Sequence, residues 1–183
     1  MIFLNFFYQL VNPYSICRKF LQNQGATDIH QYGETPLSTI ESLCESAELK
    51  AEDHFLELGA GTGKTAFFVR DRFGCKVTAI EQIPLFVKIA KLANRFSSAE
   101  IDFRCEDFLN SDLSNATVIY LFGTCLSDDV IETLCKKFIS GQRIISISYP
   151  LSDYDPRFKA IATLPVIFTW GKTEAYINFC VSI

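Results

Sequence analysis

The segment His54-Phe55-Leu56-Glu57-Leu58-Gly59-Ala60-Gly61-Thr62-Gly63 decides the fold, because it joins a short apolar run to a glycine-rich turn. Residues 54–58 predict a strand, and a helix is expected from about Lys64 to Arg72. The glycines allow a sharp turn and let a ligand approach main-chain N–H groups without interference from a Cβ atom. The start of the helix adds unpaired donors and a partial positive charge. This turn alone fits a phosphate, a dinucleotide or a nucleoside.

Strands and helices alternate along the chain after this turn. Further strands are predicted at residues 76–81, 101–104, 116–122 and 143–149, with helices at 84–96 and 128–138. Two last strand-like runs, 160–170 and 173–181, are separated by Gly171-Lys172 and predict an antiparallel hairpin. The pattern predicts an α/β fold in which a mostly parallel, seven-stranded sheet lies between helices.

An open sheet of this kind binds ligands at the carboxyl ends of its strands. The site is therefore expected in the loops that follow Leu58, Glu81, Arg104 and Phe122.

The residues before the first strand predict a helical extension, residues 1–31, followed by a single ligand-binding domain, residues 32–183. A helix is expected from near Tyr14 to Asn23, and Thr35 is expected to cap a second helix that starts at Pro36. The segment 1–11 is almost wholly apolar but too short to span a bilayer, and it lacks the basic start of a signal peptide. It is expected to pack on the domain, or to form a homo-oligomer or membrane-surface contact.

Composition excludes several classes of protein. The 183 residues are 49% hydrophobic with a net charge of −4 and no basic stripe, so disorder is excluded and nucleic-acid binding is disfavoured. Seven cysteines occur without a C-x-x-C pair and with only two histidines, so no metal site is predicted. Their odd number also argues against a disulfide framework, and they are expected to be reduced core residues of a cytoplasmic protein.

Acidic side chains around the glycine turn favour a nucleoside that carries a cation. Glu57 lies two residues before the first glycine, where it would repel a diphosphate and attract an amine. Glu81 ends the second predicted strand, where a carboxylate can accept hydrogen bonds from both ribose hydroxyls. Asp107 and Phe108 follow the third strand, where an acid and an aromatic ring suit an adenine, and Ile83 could form the opposite wall.

Other interpretations of the same residues stay open. Glu81 could be an ordinary surface acid, Asp107 could cap a turn, and the glycines could serve only a tight turn. The run Gly59–Thr65 also resembles a phosphate-binding loop, but that motif needs a glycine at position 58, which is Leu58. No later strand ends in an acid for magnesium, so a nucleotide triphosphatase is the least favoured class.

Glu57-x-Gly59-x-Gly61-x-Gly63, with acids after the second and third strands, resembles the class I S-adenosylmethionine-dependent methyltransferases. The segment Tyr32-Gly33-Glu34-Thr35 and the pair Asp107-Phe108 are similar to those of non-SET protein-lysine methyltransferases of the telomeric-silencing-disruptor type. The resemblance implies a three-layer Rossmann-like fold and S-adenosylmethionine as the cofactor.

The resemblance also implies roles for individual residues. Glu34 and Thr35 would hold the amino-acid part of the cofactor, Glu81 its ribose, and Asp107 with Phe108 its adenine. The expected cofactor-binding residues are thus Glu34, Thr35, Glu57, Gly59, Gly61, Gly63, Glu81, Asp107 and Phe108.

The chain departs from that family in ways that leave the methyl acceptor open. Phe122-Gly123, followed by Thr124, stands in place of paired asparagines after the fourth strand, and Lys64 stands in place of a glutamine. The long basic segment that engages chromatin is missing, as is the Asp/Asn-Pro-Pro-aromatic motif of amino-methylating nucleic-acid enzymes.

A protein lysine nitrogen is the expected acceptor, with a small molecule as the alternative. A catalytically inactive module that keeps the cofactor fold is the other alternative. A lysine must lose its proton before it attacks the methyl group, and an apolar, aromatic mouth disfavours the charged form. Tyr120, Phe122 and Tyr149 are the candidate catalytic residues, because they lie on or beside strand ends that face the expected mouth. Core packing is the alternative role for each of them.

Overall fold

The structure is a computed structural model that describes residues 12–182. Its strands are β1 His54–Leu58, β2 Lys76–Glu81, β3 Asp102–Cys105, β4 Val118–Leu121, β5 Arg143–Ile147, β6 Phe158–Phe168 and β7 Gly171–Cys180. Its helices are α1 Pro13–Asn23, α2 Leu37–Ser46, α3 Lys64–Phe73, α4 Pro84–Ser97 and α5 Asp128–Lys137, with a short 3-10 turn at Leu151–Asp153.

All seven strands form one sheet in the order β3-β2-β1-β4-β5-β7-β6. Strands β1 to β5 are parallel, and β7 is antiparallel to both β5 and β6. In the register, Leu58 lies between Ile80 and Leu121, so three strands end at the same edge of the sheet. The predicted mostly parallel sheet with a C-terminal antiparallel hairpin is confirmed.

Alternate residues of each central strand are buried on opposite faces of the sheet, which explains why the strands are nearly continuous apolar runs. On one face, Phe55 of β1 belongs to the core that also contains buried residues of α2, α3 and α4. On the other face, the next residue, Leu56, belongs to a core that contains Ile131 and Leu134 of α5. Helices therefore cover both faces in a three-layer arrangement.

Two predicted boundaries differ from the structure at the edge that matters for the site. Strand β4 ends at Leu121 rather than at residue 122, because the chain turns at Gly123, which has a φ of +28°. Helix α2 has Pro36 in the capping position, and Thr35 does not cap it as expected. A residue before proline is held extended, and the Thr35 hydroxyl instead hydrogen-bonds to the phenol of Tyr120.

Helix α1 is packed onto the domain. Its first turn is capped by Asn12, whose side-chain oxygen accepts a hydrogen bond from the Tyr14 N–H at 2.9 Å. Cys17 and Leu21, four residues apart, are buried in a small cluster with Ile83 and Phe86. The contact expected from residues 1–11 lies outside the described residues. Within residues 12–182, no helix has both the length and the apolar character needed to cross a membrane.

Candidate active site

The glycine turn lies at the carboxyl end of β1 and depends on left-handed backbone. Gly59, Gly61 and Gly63 have φ values of +79°, +54° and +82°, which disfavour any side chain. The N–H groups of Gly59 and Ala60 both donate to the Ile80 carbonyl at 2.9 Å, which fixes the turn against β2. Gly59 and Gly61 line a cavity at the carboxyl edge of the sheet.

Gly63 has a packing role instead. A Cβ atom there would lie 2.7 Å from Cε1 of Phe103, which is closer than real Cβ atoms approach such a ring. Gly63 is not among the residues that line the cavity, so the structure explains it by the close approach of α3 to the sheet.

Glu81 connects the glycine turn to the next loop. Its Oε2 accepts a hydrogen bond from the Gly61 N–H at 2.8 Å, and its Oε1 accepts one from the Ile83 N–H at 2.7 Å. Burial raises the pKa of this carboxyl, whereas hydrogen bonds from the backbone N–H groups of Ile83, Gly61 and Gln82 lower it. A carboxylate has about four acceptor positions, so Glu81 remains able to bind a ribose hydroxyl in the cavity that it lines.

Glu57 is buried in the floor of the same cavity. Its Oε2 atom has no hydrogen-bond partner among the described residues. Desolvation raises its pKa to about 8, against the lowering effect of hydrogen bonds from the Thr65 hydroxyl and the Ala66 N–H. A buried unpartnered acceptor is costly by roughly 1–3 kcal/mol, and a cationic ligand group would relieve that cost.

Residues 31–35, named here the covering segment, form one wall of the cavity over the glycine turn. The Tyr32 ring is so close that a Cβ atom on Gly61 would lie 3.2 Å from it. The Tyr32 hydroxyl donates to Oε1 of Glu34 at 2.9 Å, and Lys64 Nζ donates to Oε2 of Glu34 at 3.3 Å. This ion pair fixes the covering segment to the first residue of α3.

The mouth of the cavity is aromatic. Phe122 lines it and packs edge-on against Phe168, with ring centroids 5.3 Å apart. A Cβ atom on Gly33 would lie 3.1 Å from the Phe122 ring, so the covering segment also packs closely against this side chain. Phe108 and Ile83 line the cavity where the sequence predicted the two walls of an adenine site.

The structure brings most of the predicted site residues together. The cavity is lined by Glu34, Thr35, Glu57, Gly59, Gly61, Glu81, Phe108, Tyr120 and Phe122. Asp107 lies beside Phe108 but is exposed, and its carboxylate accepts hydrogen bonds from the Leu109 N–H at 2.9 Å and from the Asn110 side chain at 3.3 Å. It therefore caps a turn at the cavity rim, and its contact with adenine stays a prediction.

Tyr149 contacts Gly123, a residue of the cavity lining, but does not itself line the cavity. Its ring packs edge-on against Tyr154, and its hydroxyl donates to the Gly123 carbonyl at 3.4 Å. Burial raises its pKa. Tyr149 packs against the core on the α5 face and is not among the residues that line the cavity. The reason is that β5 ends at Ile147, two residues earlier than expected, so that Tyr149 lies in the following turn.

Sequence reasoning missed the wall that α1 and α4 contribute. Cys17 and Leu21 of α1 and Phe86 of α4 line the cavity. The four-residue spacing of Cys17 and Leu21 indicates a buried helix face, but spacing does not tell which surface that face covers.

The donor set fits S-adenosylmethionine. Three acids, Glu34, Glu57 and Glu81, line the cavity with the ammonium of Lys64. Glu57, whose raised pKa keeps it mostly protonated at neutral pH, can ionise when a cation binds beside it. The ligand carries a sulfonium and an ammonium, which suit the acids, and a carboxylate, which suits Lys64. The turn fits a triphosphate poorly, because Glu57 and Glu81 lie beside it and Glu81 already occupies the Gly61 N–H. Within residues 12–182, there is no cluster of three or more His, Cys, Asp or Glu side chains that could hold a metal ion.

The sheet order, the glycine turn and the acid-lined cavity define a class I methyltransferase that uses S-adenosylmethionine. The family model described as "Histone methylation protein DOT1" matches residues 16–155, and the chain belongs to this family. It is therefore an S-adenosylmethionine-dependent methyltransferase. A search of curated proteins finds no match.

Solved structures agree on the fold. An RNA methyltransferase from Salinibacter ruber, in complex with S-adenosyl-L-homocysteine, is 22% identical with a TM-score of 0.68, over 82% of this chain and 95% of that one. Precorrin-6y C5,15-methyltransferase from Geobacter metallireducens is 12% identical with a TM-score of 0.55, over 83% and 92%. TrmN from Thermus thermophilus is 15% identical with a TM-score of 0.66, over 78% and 48%. At these identities the similarity shows the fold alone.

Proposed function

We propose that this chain methylates the side-chain nitrogen of a lysine in a protein substrate. The observation that carries the proposal is the apolar contact between Phe122, which lines the cavity, and Phe168 beside it. The apolar mouth disfavours the ammonium and favours the neutral amine, which has the lone pair needed for attack.

S-adenosylmethionine supplies an electrophilic methyl group on a sulfonium. The protein contributes mainly by alignment, which can lower a barrier by roughly 7–11 kcal/mol. Phe122 is the proposed wall for the acceptor, because it alone of the three candidate catalytic residues combines a place in the cavity lining with a position at the mouth. Tyr120 also lines the cavity, but its hydroxyl is paired with Thr35, so we assign it to positioning.

The cofactor-binding roles follow from the same geometry. Glu57 would pair with the ammonium, Glu34 and Thr35 would hold the amino-acid part with Lys64 near the carboxylate, and Glu81 would bind the ribose. Phe108 and Ile83 would enclose the adenine, with Asp107 at its amino group. The glycines at 59 and 61 leave room for the ligand, whereas Gly63 acts through packing.

Three further assignments belong to the proposal. Residues 1–31 would form an extension of the methyltransferase domain at residues 32–183, since α1 packs along the cavity wall. All seven cysteines are free thiols, and five of them are buried, which supports a reducing, cytoplasmic location. The acidic cavity supports a protein acceptor rather than a nucleic acid.

The experiment is methyl transfer from S-adenosylmethionine to Nα-acetyl-lysine methylamide and to unfolded protein, with mass analysis of the lysine side chain. We expect added methyl groups on the lysine nitrogen, lost in Glu81→Ala. Binding of S-adenosylhomocysteine without transfer to any acceptor would support the inactive module. Labelling of small molecules from a cell extract, with no label on lysine, would support a small-molecule methyltransferase.

A further inference from the structure

A second groove runs between the start of α2 and the end of β6. One side carries Pro36 and the hydroxyls of Ser38, Thr39 and Ser42, and the other side is formed by residues 165–169. Ile167, which belongs to the groove, is 62% exposed, and Trp170, which lies next to it, is 53% exposed. Large apolar side chains that are exposed next to a groove mark a contact surface.

This groove lies next to the reaction cavity. Phe168 lines the groove and contacts Phe122 at the mouth with centroids 5.3 Å apart, and on its other side it stacks on Trp170 at 5.2 Å. Pro36 of the groove directly follows Thr35 of the cavity. A row of three aromatic rings therefore leads from the mouth to the surface.

The outer edge of β6 is poorly suited to pair with another strand at this point. Pro165 has no N–H to donate, and the Ile167 carbonyl already accepts a hydrogen bond from Thr39 at 3.2 Å. Side-chain contacts must therefore supply the recognition: apolar contact with Ile167 and Trp170, and hydrogen bonds to the hydroxyls of α2. These suit an extended peptide that carries an apolar side chain.

We propose that this groove binds the segment of the protein substrate next to the target lysine. The inference rests on the proposed function and extends it to the substrate's sequence. The ring centroids are 5.3 Å apart from Phe122 to Phe168 and 5.2 Å apart from Phe168 to Trp170. Together these distances equal the length of roughly three residues of extended chain. An apolar side chain about three residues from the lysine would thus lie against Trp170.

The test is methylation of a peptide library with a central lysine and randomised residues on both sides. We expect the wild-type products to be enriched in aromatic or branched apolar residues two to four positions from the methyllysine. Trp170→Ala and Ile167→Ser should abolish this enrichment and raise KM for the preferred peptide at least fivefold, with kcat unchanged. Transfer to Nα-acetyl-lysine methylamide and affinity for S-adenosylhomocysteine should stay within twofold.

Ile161→Ser is the matched control, because Ile161 is 58% exposed on the same strand but lies outside the groove. It should keep the enrichment. Enrichment that survives Trp170→Ala, or an equal loss in Ile161→Ser, overturns the groove and leaves the proposed function standing. Absence of methyllysine from every wild-type reaction overturns the proposed function, and the groove with it.

Discussion

The hydroxyl of Thr35 and the phenol of Tyr120 form a buried hydrogen bond between residues 85 positions apart in the chain. Tyr120 belongs to β4, in the middle of the sheet, and Thr35 ends the covering segment. The bond therefore fixes that segment to the sheet beside the cavity. Burial raises the pKa of Tyr120, so its hydroxyl keeps its proton at physiological pH.

Removal of one partner from this pair should destabilise the protein. Tyr120→Phe leaves the Thr35 hydroxyl buried without a partner, and we expect a loss of about 1–3 kcal/mol in the free energy of unfolding. Thr35→Val should have a similar effect. The double variant should lose less free energy of unfolding than the sum of the two single losses. Urea unfolding of the four proteins measures this coupling. Additive losses would contradict the pairing.

Glu81→Ala should weaken binding of S-adenosylhomocysteine at least tenfold. Hydrogen bonds to a charged acceptor contribute about 1.5–3 kcal/mol each, and tenfold corresponds to about 1.4 kcal/mol. Titration calorimetry measures the affinity, and Glu52→Ala, which changes an exposed acid, is the control. The affinity for methylthioadenosine, which has the ribose but no amino acid, should fall by a similar factor in Glu81→Ala. If Glu81→Ala binds like the wild type, the ribose assignment is wrong.

The sequence was sufficient for the order of elements and for most of the cavity. Local signals sufficed there, because Glu57, Gly59, Gly61 and Glu81 lie on consecutive strand ends that a parallel sheet must bring to one edge. The same reasoning did not predict that Tyr149 would lie one residue layer behind the lining, against Gly123, because that depends on where β5 ends. Strand ends are set by tertiary hydrogen bonds that a short apolar run does not specify.

Contacts between distant segments were also outside the reach of sequence reasoning. The position of Thr35 before Pro36 predicts a helix cap, but its hydroxyl hydrogen-bonds to the phenol of Tyr120 instead. Similarly, the spacing of Gly63 matches a ligand-binding turn, and only the packed structure shows Phe103 against it. Thr35 and Gly63 each suit two roles by residue type alone. Only the residue that packs against them in the folded structure shows which role they have.

Glu57 should make the cofactor-free protein less stable as pH rises from about 5 to 8. Its pKa is about 8 in the folded protein, against an ordinary value of 4.5. Between these values the folded state holds a proton that the unfolded state has lost, so the free energy of unfolding falls with increasing pH. Glu57→Gln removes this contribution. Urea unfolding at pH 5 and pH 8.5 should show the variant gaining stability relative to the wild type at the higher pH.

The comparison measures Glu57 together with its repulsion from Glu81, because Glu81 is present in both proteins and its charge helps to raise the pKa of Glu57. Saturating S-adenosylhomocysteine should reduce the difference, since its ammonium would pair with the ionised carboxylate. Parallel pH profiles for the two proteins without ligand would show that Glu57 ionises normally, and would contradict the burial of its carboxyl without a charge partner.

Gly63→Ala should destabilise the protein more than Gly74→Ala, although both glycines flank α3 with similar left-handed backbone. Their φ values are +82° and +69°, so each substitution has a backbone cost of about 1–2 kcal/mol. Only Gly63 has a neighbour within reach, Phe103 at 2.7 Å from the added Cβ, whereas the Gly74 site has nothing within 4 Å. Overpacking of a core adds about 1–3 kcal/mol. Chemical unfolding of both variants should therefore show this extra loss for Gly63→Ala, and equal losses would mean that the backbone conformation alone requires the glycine.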